Sequence, residues 1–136
     1  MKVLSIKEPF VTLICEKKKY IETRSWKTNY RGELYIHASL AKIPKEIYKR
    51  EAFELLDNPD FKYGYIICKC NLVDCIYMNE EYIADMKKSN YQEYICGEYK
   101  VGRYSWVLED IEPLDVPIKA KGQLGIWNYN NNVDNL

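Results

Sequence analysis

A strand with one charged face is the feature that most narrows what this chain can become. The run Lys17-Lys18-Lys19-Tyr20-Ile21-Glu22-Thr23-Arg24-Ser25-Trp26 reads as the end of a helix followed by such a strand. Side chains of a strand alternate between faces, so Tyr20, Glu22, Arg24 and Trp26 share one and Ile21, Thr23 and Ser25 the other. A carboxylate and a guanidinium two residues apart on one face, flanked by aromatics, need a pairing partner or a polar cleft. Lys19 is expected beside them at the strand mouth. A cleft holding Lys, Glu, Arg and Trp has the chemistry to take an anionic, planar, hydrogen-bonding ligand, and a nucleotide fits that description.

The length of 136 residues suits one domain, expected to span 1–129 with a frayed Asn-rich tail at 130–136. A hydrophobic fraction of 47% against 29% charged residues places the chain among folded rather than disordered sequences. No apolar run approaches the roughly 18 residues of a membrane span, and Met1-Lys2-Val3 leads straight into a strand-like segment. A cytoplasmic protein without membrane contact is therefore the expectation. The zero net charge hides an asymmetry: residues 1–50 hold 12 Lys+Arg against 5 Asp+Glu, whereas residues 51–136 hold 8 against 15. A basic first third permits an anion-binding face on a neutral protein. Lys42, Lys45, Lys49 and Arg50 read as ordinary helix surface; Lys19 and Arg24 do not.

The five cysteines, Cys15, Cys68, Cys70, Cys75 and Cys96, read as reduced and mostly buried small hydrophobes. With one histidine and no C-x-x-C pair, no zinc site is expected, and no P-loop or dinucleotide glycine fingerprint is present. No metal or other cofactor is expected.

In chain order, Val3–Ile6 reads as a first strand and Pro9 as the first residue of a helix whose stripe is Phe10, Leu13, Ile14 and Lys17. Residues 33–39 alternate as a strand with Leu34 and Ile36 on one face. His37 either hydrogen-bonds the end of that strand or lines the cleft. Pro44 begins a second helix to about Asp57, with Tyr48, Ala52, Leu55 and Leu56 on its buried side. Gly64 to Cys75 reads as a long strand with Ile66, Cys68, Cys70 and Leu72 facing inward. Asp74 falls on that apolar face and is expected to be paired with Arg24 or another basic group. Asn79 followed by Glu80 and Glu81 starts a helix with Tyr82, Ile83 and Met86 as its packing stripe. Residues 89–102 read as a loop or flap, 103–109 as a strand, Pro113 and Pro117 as the brackets of a turn, and 121–127 as a last strand. Short separated strands with about three interspersed helices favour an α+β fold, a small mixed β-barrel, over a doubly wound sheet.

The segment Lys17–Arg24 resembles the G-x-K-x-x-E-x-R signature of the ASCH domain family, whose members are PUA-like β-barrels. Residues 4–9, 34–39, 104–108 and 122–127 match the family in order, so the resemblance covers essentially residues 2–129. Lys17 stands where the signature has Gly. Either the tight turn is made without a permissive residue, or the helix runs one residue further. The resemblance implies a cleft lined by Lys19, Glu22 and Arg24, of a kind that PUA-like domains use for RNA or modified bases. His37, Ser39, Ser105 and Trp106 are further candidates to line it, with Trp26. Some family members are amidohydrolases that deacetylate N4-acetylcytidine, with a Thr where this chain has Glu22, acting with the Lys and a later Glu. Glu80 and Glu81 follow the long strand but align to that Glu by no motif. Other members are ribonucleases or nucleic-acid-binding modules.

Three readings of the cleft follow, in order of preference. In the first, RNA, single-stranded nucleic acid or a modified nucleotide binds, with Lys19 and Arg24 on phosphate or base edges and Trp26 stacking a base. In the second, a nucleoside or RNA is hydrolysed, with Lys19 polarising the scissile group, Glu22 as general base and Arg24 stabilising negative charge. In the third, Glu22 and Arg24 are an internal salt bridge and nothing more.

Overall fold

The computed structural model describes residues 1–130, so the expected tail lies, beyond Asn130, outside the described residues. Chain order runs β1 (Lys2–Ile6), α1 (Phe10–Cys15), β2 (Ile21–Arg24), β3 (Gly32–Ala38), and two 3₁₀ turns at Lys45–Lys49 and Glu51–Leu55. It continues with β4 (Tyr65–Tyr77), α2 (Glu80–Ser89), α3 (Tyr91–Ile95), β5 (Tyr104–Lys119) and β6 (Ile126–Asn128). The six strands form one sheet in the order β2-β5-β4-β3-β1-β6; β1 and β3 are parallel and the other pairs antiparallel. In a flat sheet β2 and β1 would lie four strand spacings apart, about 19 Å. Arg24 on β2 nevertheless donates from Nη2 to the Ser5 carbonyl on β1 at 2.9 Å. The sheet is therefore curled into a half-barrel, an α+β domain with few peripheral helices. Among the described residues no helix is long and apolar enough to cross a membrane.

The inner face carries the core. Leu4 and Ile6 of β1, Leu34 and Ile36 of β3, and Cys68, Cys70 and Leu72 of β4 are buried there with Trp106 and Leu108 of β5 and Val11 and Ile14 of α1. This is the alternation expected for β3 and, from Cys68 to Leu72, for β4; Ile66, beyond a register shift between Ile66 and Cys68, packs instead with Val3 and Trp127. Each such aliphatic side chain contributes about 1.5–3 kcal/mol. All five cysteines are free thiols; Cys68, Cys70 and Cys96 are buried and Cys15 and Cys75 partly so.

The chain departs from the sequence expectation in places that share a cause, namely a tertiary partner that outweighs the local pattern. Residues 44–57 do not form one helix. Arg50 adopts ψ 147 between the two 3₁₀ turns, and its guanidinium donates to the Ile95 and Gly97 carbonyls. Tyr48 is consequently exposed, while Ala52 is buried. Residues 89–102 contain α3, started by Asn90, whose side chain accepts from the Glu93 amide. Pro113 and Pro117 lie inside β5 rather than at a turn. Both fall beyond the part of β5 that pairs with β2, where one edge is open and a missing N–H breaks no ladder bond. A register shift between Leu72 and Asp74 ends the alternation of β4, so Asp74 is exposed. Its partners are the Cys75 amide and, at 4.0 Å, Arg31 rather than Arg24. The last strand is only Ile126–Asn128, preceded by a loop that turns at Gly125 with φ 66.

The helix-to-strand turn settles the two alternatives left open at Lys17. Helix α1 stops at Cys15, and Lys17 takes φ 61, the left-handed conformation that glycine adopts without strain. The Lys17 side chain is exposed, so a substitution there acts through the backbone alone. Lys17→Gly is expected to raise the unfolding free energy by up to about 1 kcal/mol, and Lys17→Val to lower it. A urea midpoint that moves without a change in slope measures this; equal midpoints for the three proteins would show that the turn carries no strain.

Candidate functional site

A cavity of about 770 Å³ opens along the seam of the half-barrel, between the β2 end of the sheet and the β1, β3 and β6 end. Lys19, Glu22, Arg24 and Trp26 line it, as do Thr23 and Ser25, which the strand alternation assigns to the opposite face. The facing side is made by Ser5–Glu8, Ser39, Leu40 and the loop 121–125. Arg50, residues 96–98 and Arg103 complete it. Strand β2 serves two sides: Ile21 packs into a cluster with Met78 and Tyr99, while Glu22 and Arg24 turn to the seam.

Glu22 and Arg24 share the cavity and bond directly. Arg24 donates from Nε to Glu22 Oε2 at 3.0 Å, and its Nη2, ion-paired with the same oxygen at 3.0 Å, donates to the Ser5 carbonyl. This fork fixes the guanidinium plane across the seam. The other carboxylate oxygen of Glu22 lies 3.8 Å from Lys19 Nζ.

Lys19 is not at the mouth of the strand, as the sequence led us to expect. It is buried, 1% exposed, at the cavity floor, donates to the Cys96 carbonyl at 2.7 Å, and lies over the Phe10 ring. An ammonium in that position costs several kcal/mol unless compensated, and the carbonyl, the Glu22 carboxylate and the ring are what compensate it.

Four successive carbonyls, at residues 95 to 98, accept from cations: Ile95 and Gly97 from Arg50, Cys96 from Lys19, and Glu98 from Arg103. The loop following α3 is thus clasped by the same side chains that line the cavity.

Glu93 is the residue that sequence reasoning missed. It is buried in α3, and its two oxygens accept from the Tyr20 and Ile21 amides at 2.7 and 3.1 Å, holding the entry of β2. Burial pushes its pKa up, against the opposing pull of the Lys19 charge and the two amides. The spacing Asn90-x-x-Glu93, a helix-start pattern like the one at Asn79, was the available signal. Glu80 and Glu81, by contrast, are exposed on α2.

Of the remaining candidates, Ser39 lines the cavity. His37, Ser105 and Trp106 are fully buried and not among its lining residues. Trp106 Nε1 donates to the Trp26 carbonyl, and the two indoles meet edge to face at 4.7 Å, so Trp106 props Trp26 at the rim. Ser105 is bonded to the Tyr82 hydroxyl. His37 Nε2 faces the Ala120 carbonyl at 2.7 Å and so carries the proton, leaving Nδ1 to accept from Ser5 Oγ at 2.9 Å. Ser5 Oγ accepts in turn from Trp127 Nε1. Burial pushes the His37 pKa down, in keeping with this neutral tautomer. Among the described residues no group of three or more His, Cys, Asp and Glu side chains is placed to hold a metal ion.

A curled mixed sheet with a Lys–Glu–Arg constellation in its seam defines an ASCH domain of the PUA-like class, and the chain belongs to that family: the ASCH domain profile matches residues 4–117. The chain is also similar to activating signal cointegrator 1 of Homo sapiens, 24% identical over 140 residues, and to the same protein of Mus musculus, 23% identical over 140 residues. Each match covers 96% of this chain but 22% of the relative, so the chain spans about a fifth of their length. The charged cleft and the family fold together point to binding of nucleic acid or a nucleotide.

Two outcomes are expected at the floor. Lys19→Met, which keeps the stem but removes the charge, lowers the unfolding free energy by about 3 kcal/mol, because Glu22 and the Cys96 carbonyl lose a buried partner. Lys18→Met is the control, since the Lys18 side chain is partly exposed and its ammonium bonds Glu16 and the Leu55 carbonyl outside the cavity lining. The Glu93 shift also has a definite sign. A carboxylate held above its ordinary value of 4.5 stabilises the fold fully below that value and loses the contribution as pH rises through the raised pKa. Wild type should therefore lose stability relative to Glu93→Gln as pH climbs from about 4.5. The opposite slope in paired urea titrations would mean that Lys19 outweighs burial.

Proposed function

We propose that the seam cavity binds RNA, other single-stranded nucleic acid, or a modified nucleoside or nucleotide. The observation that carries this reading is the charge of the lining: Lys7, Lys19, Arg24, Arg50, Arg103 and Lys121 stand against Glu8, Glu22 and Glu98. Glu8 is further weakened as an anion, since burial pushes its pKa up despite two hydrogen bonds from Thr12. Phosphate would meet Arg24, already oriented by Glu22, and Arg103, held by Glu98 and the Thr23 carbonyl. Trp26, 39% exposed at the rim, presents an aromatic surface for a base.

A hydrolytic reading is the alternative, on the ground that Lys19 and Glu22 approach to 3.8 Å beside the cavity. We rank it second. Glu22 stands where the amidohydrolases of the family carry a hydroxyl, and both groups are engaged: Lys19 on the Cys96 carbonyl, Glu22 on Arg24. Incubation with N4-acetylcytidine, with products separated by chromatography, distinguishes the two; turnover would promote the enzyme reading.

Binding itself is tested by salt. Lys7 and Lys121 are exposed cavity residues, so Lys7→Ala and Lys121→Ala should fold normally. Each is expected to weaken binding of a short single-stranded RNA and to flatten its log–log salt dependence by about 0.7. Unchanged slopes would place the phosphates elsewhere.

A further inference from the structure

We propose that the two lips of the seam form a clamp that takes one unpaired base edge-on, so that the site selects single strands and rejects duplex. The inference rests on the binding reading above and specifies its ligand. Of the large apolar side chains that are well exposed, three line this one cavity: Trp26, Leu40 and Leu124. Scattered exposed leucines are ordinary on a protein surface; three at the rim of a cation-lined cavity are a patch with an address. They are divided between the lips. Trp26 follows β2, at one end of the sheet. Leu40 follows β3 and Leu124 precedes β6, at the other end.

Both lips are braced from behind. Trp106 holds Trp26 by the edge-to-face contact and by the hydrogen bond to its carbonyl. On the other side the His37–Ala120 bond anchors the start of the loop carrying Leu124. Gly122 packs so closely on His37 and Ser5 that a Cβ there would lie 2.9 Å from each. Leu124 itself is 98% exposed, so it contributes nothing to the core and its apolar surface is available to a ligand.

Charge complementarity identifies the occupant. The exposed part of the lining carries Lys7 and Lys121 beside Trp26, Leu40 and Leu124, which matches a nucleotide unit whose phosphates lie along the cations and whose base lies between the lips. A base in a duplex keeps both faces stacked on its neighbours and cannot enter; an unpaired one stacks on aromatic side chains without regard to sequence. A volume of about 770 Å³ lies in the range of pockets that close round a small organic ligand and is too small for duplex.

The test uses fluorescence anisotropy with three probes: a short single-stranded RNA of mixed sequence, an abasic strand of the same length, and the RNA annealed to its complement. Leu124→Ser is the informative variant, because a fully exposed side chain is replaced without loss of packing, and Leu40→Ser and Trp26→Ala accompany it. Wild type is expected to bind the single strand at least tenfold more tightly than the abasic strand or the duplex. Each variant should weaken the single strand roughly five- to tenfold and leave the abasic strand unchanged. If wild type binds abasic and base-bearing strands alike, or if the variants weaken both equally, the clamp is wrong while the phosphate reading stands. If wild type binds none of the three, the binding reading fails and the clamp with it.

Discussion

The burial of one positive charge organises this domain. Lys19 lies at 1% exposure, where an unpaired ammonium would be untenable, and every element near it is placed to make that charge acceptable. Helix α1 supplies the Phe10 ring, β2 supplies Glu22, and the loop after α3 supplies the Cys96 carbonyl. Arg50 and Arg103 extend the same pattern to the neighbouring carbonyls, so a loop without regular structure is held by cations rather than by a ladder. The cost of desolvating Lys19 also explains Glu93. A second buried carboxylate within reach of that charge becomes tolerable, and it uses its oxygens to hold the first two amides of the β2 entry.

The half-barrel gives the cavity its shape. Because β2 and β6 are the two ends of one sheet, curling brings the β2 end round to the β1 end across a gap that, among the described residues, no further strand fills. Arg24 is the bridge across the gap, tied to Glu22 on its own side and to Ser5 on the other. Behind the far lip, the chain of Trp127, Ser5, His37 and Ala120 joins β6, β1, β3 and the end of β5 in one hydrogen-bond series. A histidine used in this way is structural: its tautomer is set and its protonation disfavoured by burial.

Membership of the ASCH family places two positions in context, one that departs from the signature and one that keeps it. At Lys17 the signature glycine is replaced, yet the turn keeps the left-handed geometry that a glycine would have taken, so the backbone demand outlives the residue suited to it. At Glu22 the carboxylate is held by Arg24 and lies near Lys19, an arrangement that positions a guanidinium well and leaves no hydroxyl at that place.

Local pattern and family signature determined a good deal. The strand periods of β3 and β4, the Asn79 helix start, the pairing of Glu22 with Arg24 on one face and the family itself were legible because each is written within about ten residues or in a recognisable motif. What only the tertiary structure decided are the contacts between distant segments. The depth of Lys19 depends on Cys96, 77 positions away; the break at Arg50 depends on carbonyls 45 and 47 positions away; the role of Glu93 depends on amides more than 70 positions back. The prolines of β5 lie in a strand because one edge there is open, which no local window records. Periodicity tells a side chain which face to take. Whether that face meets water, a core or another charge is set by how the sheet curls, and that is a property of all six strands at once.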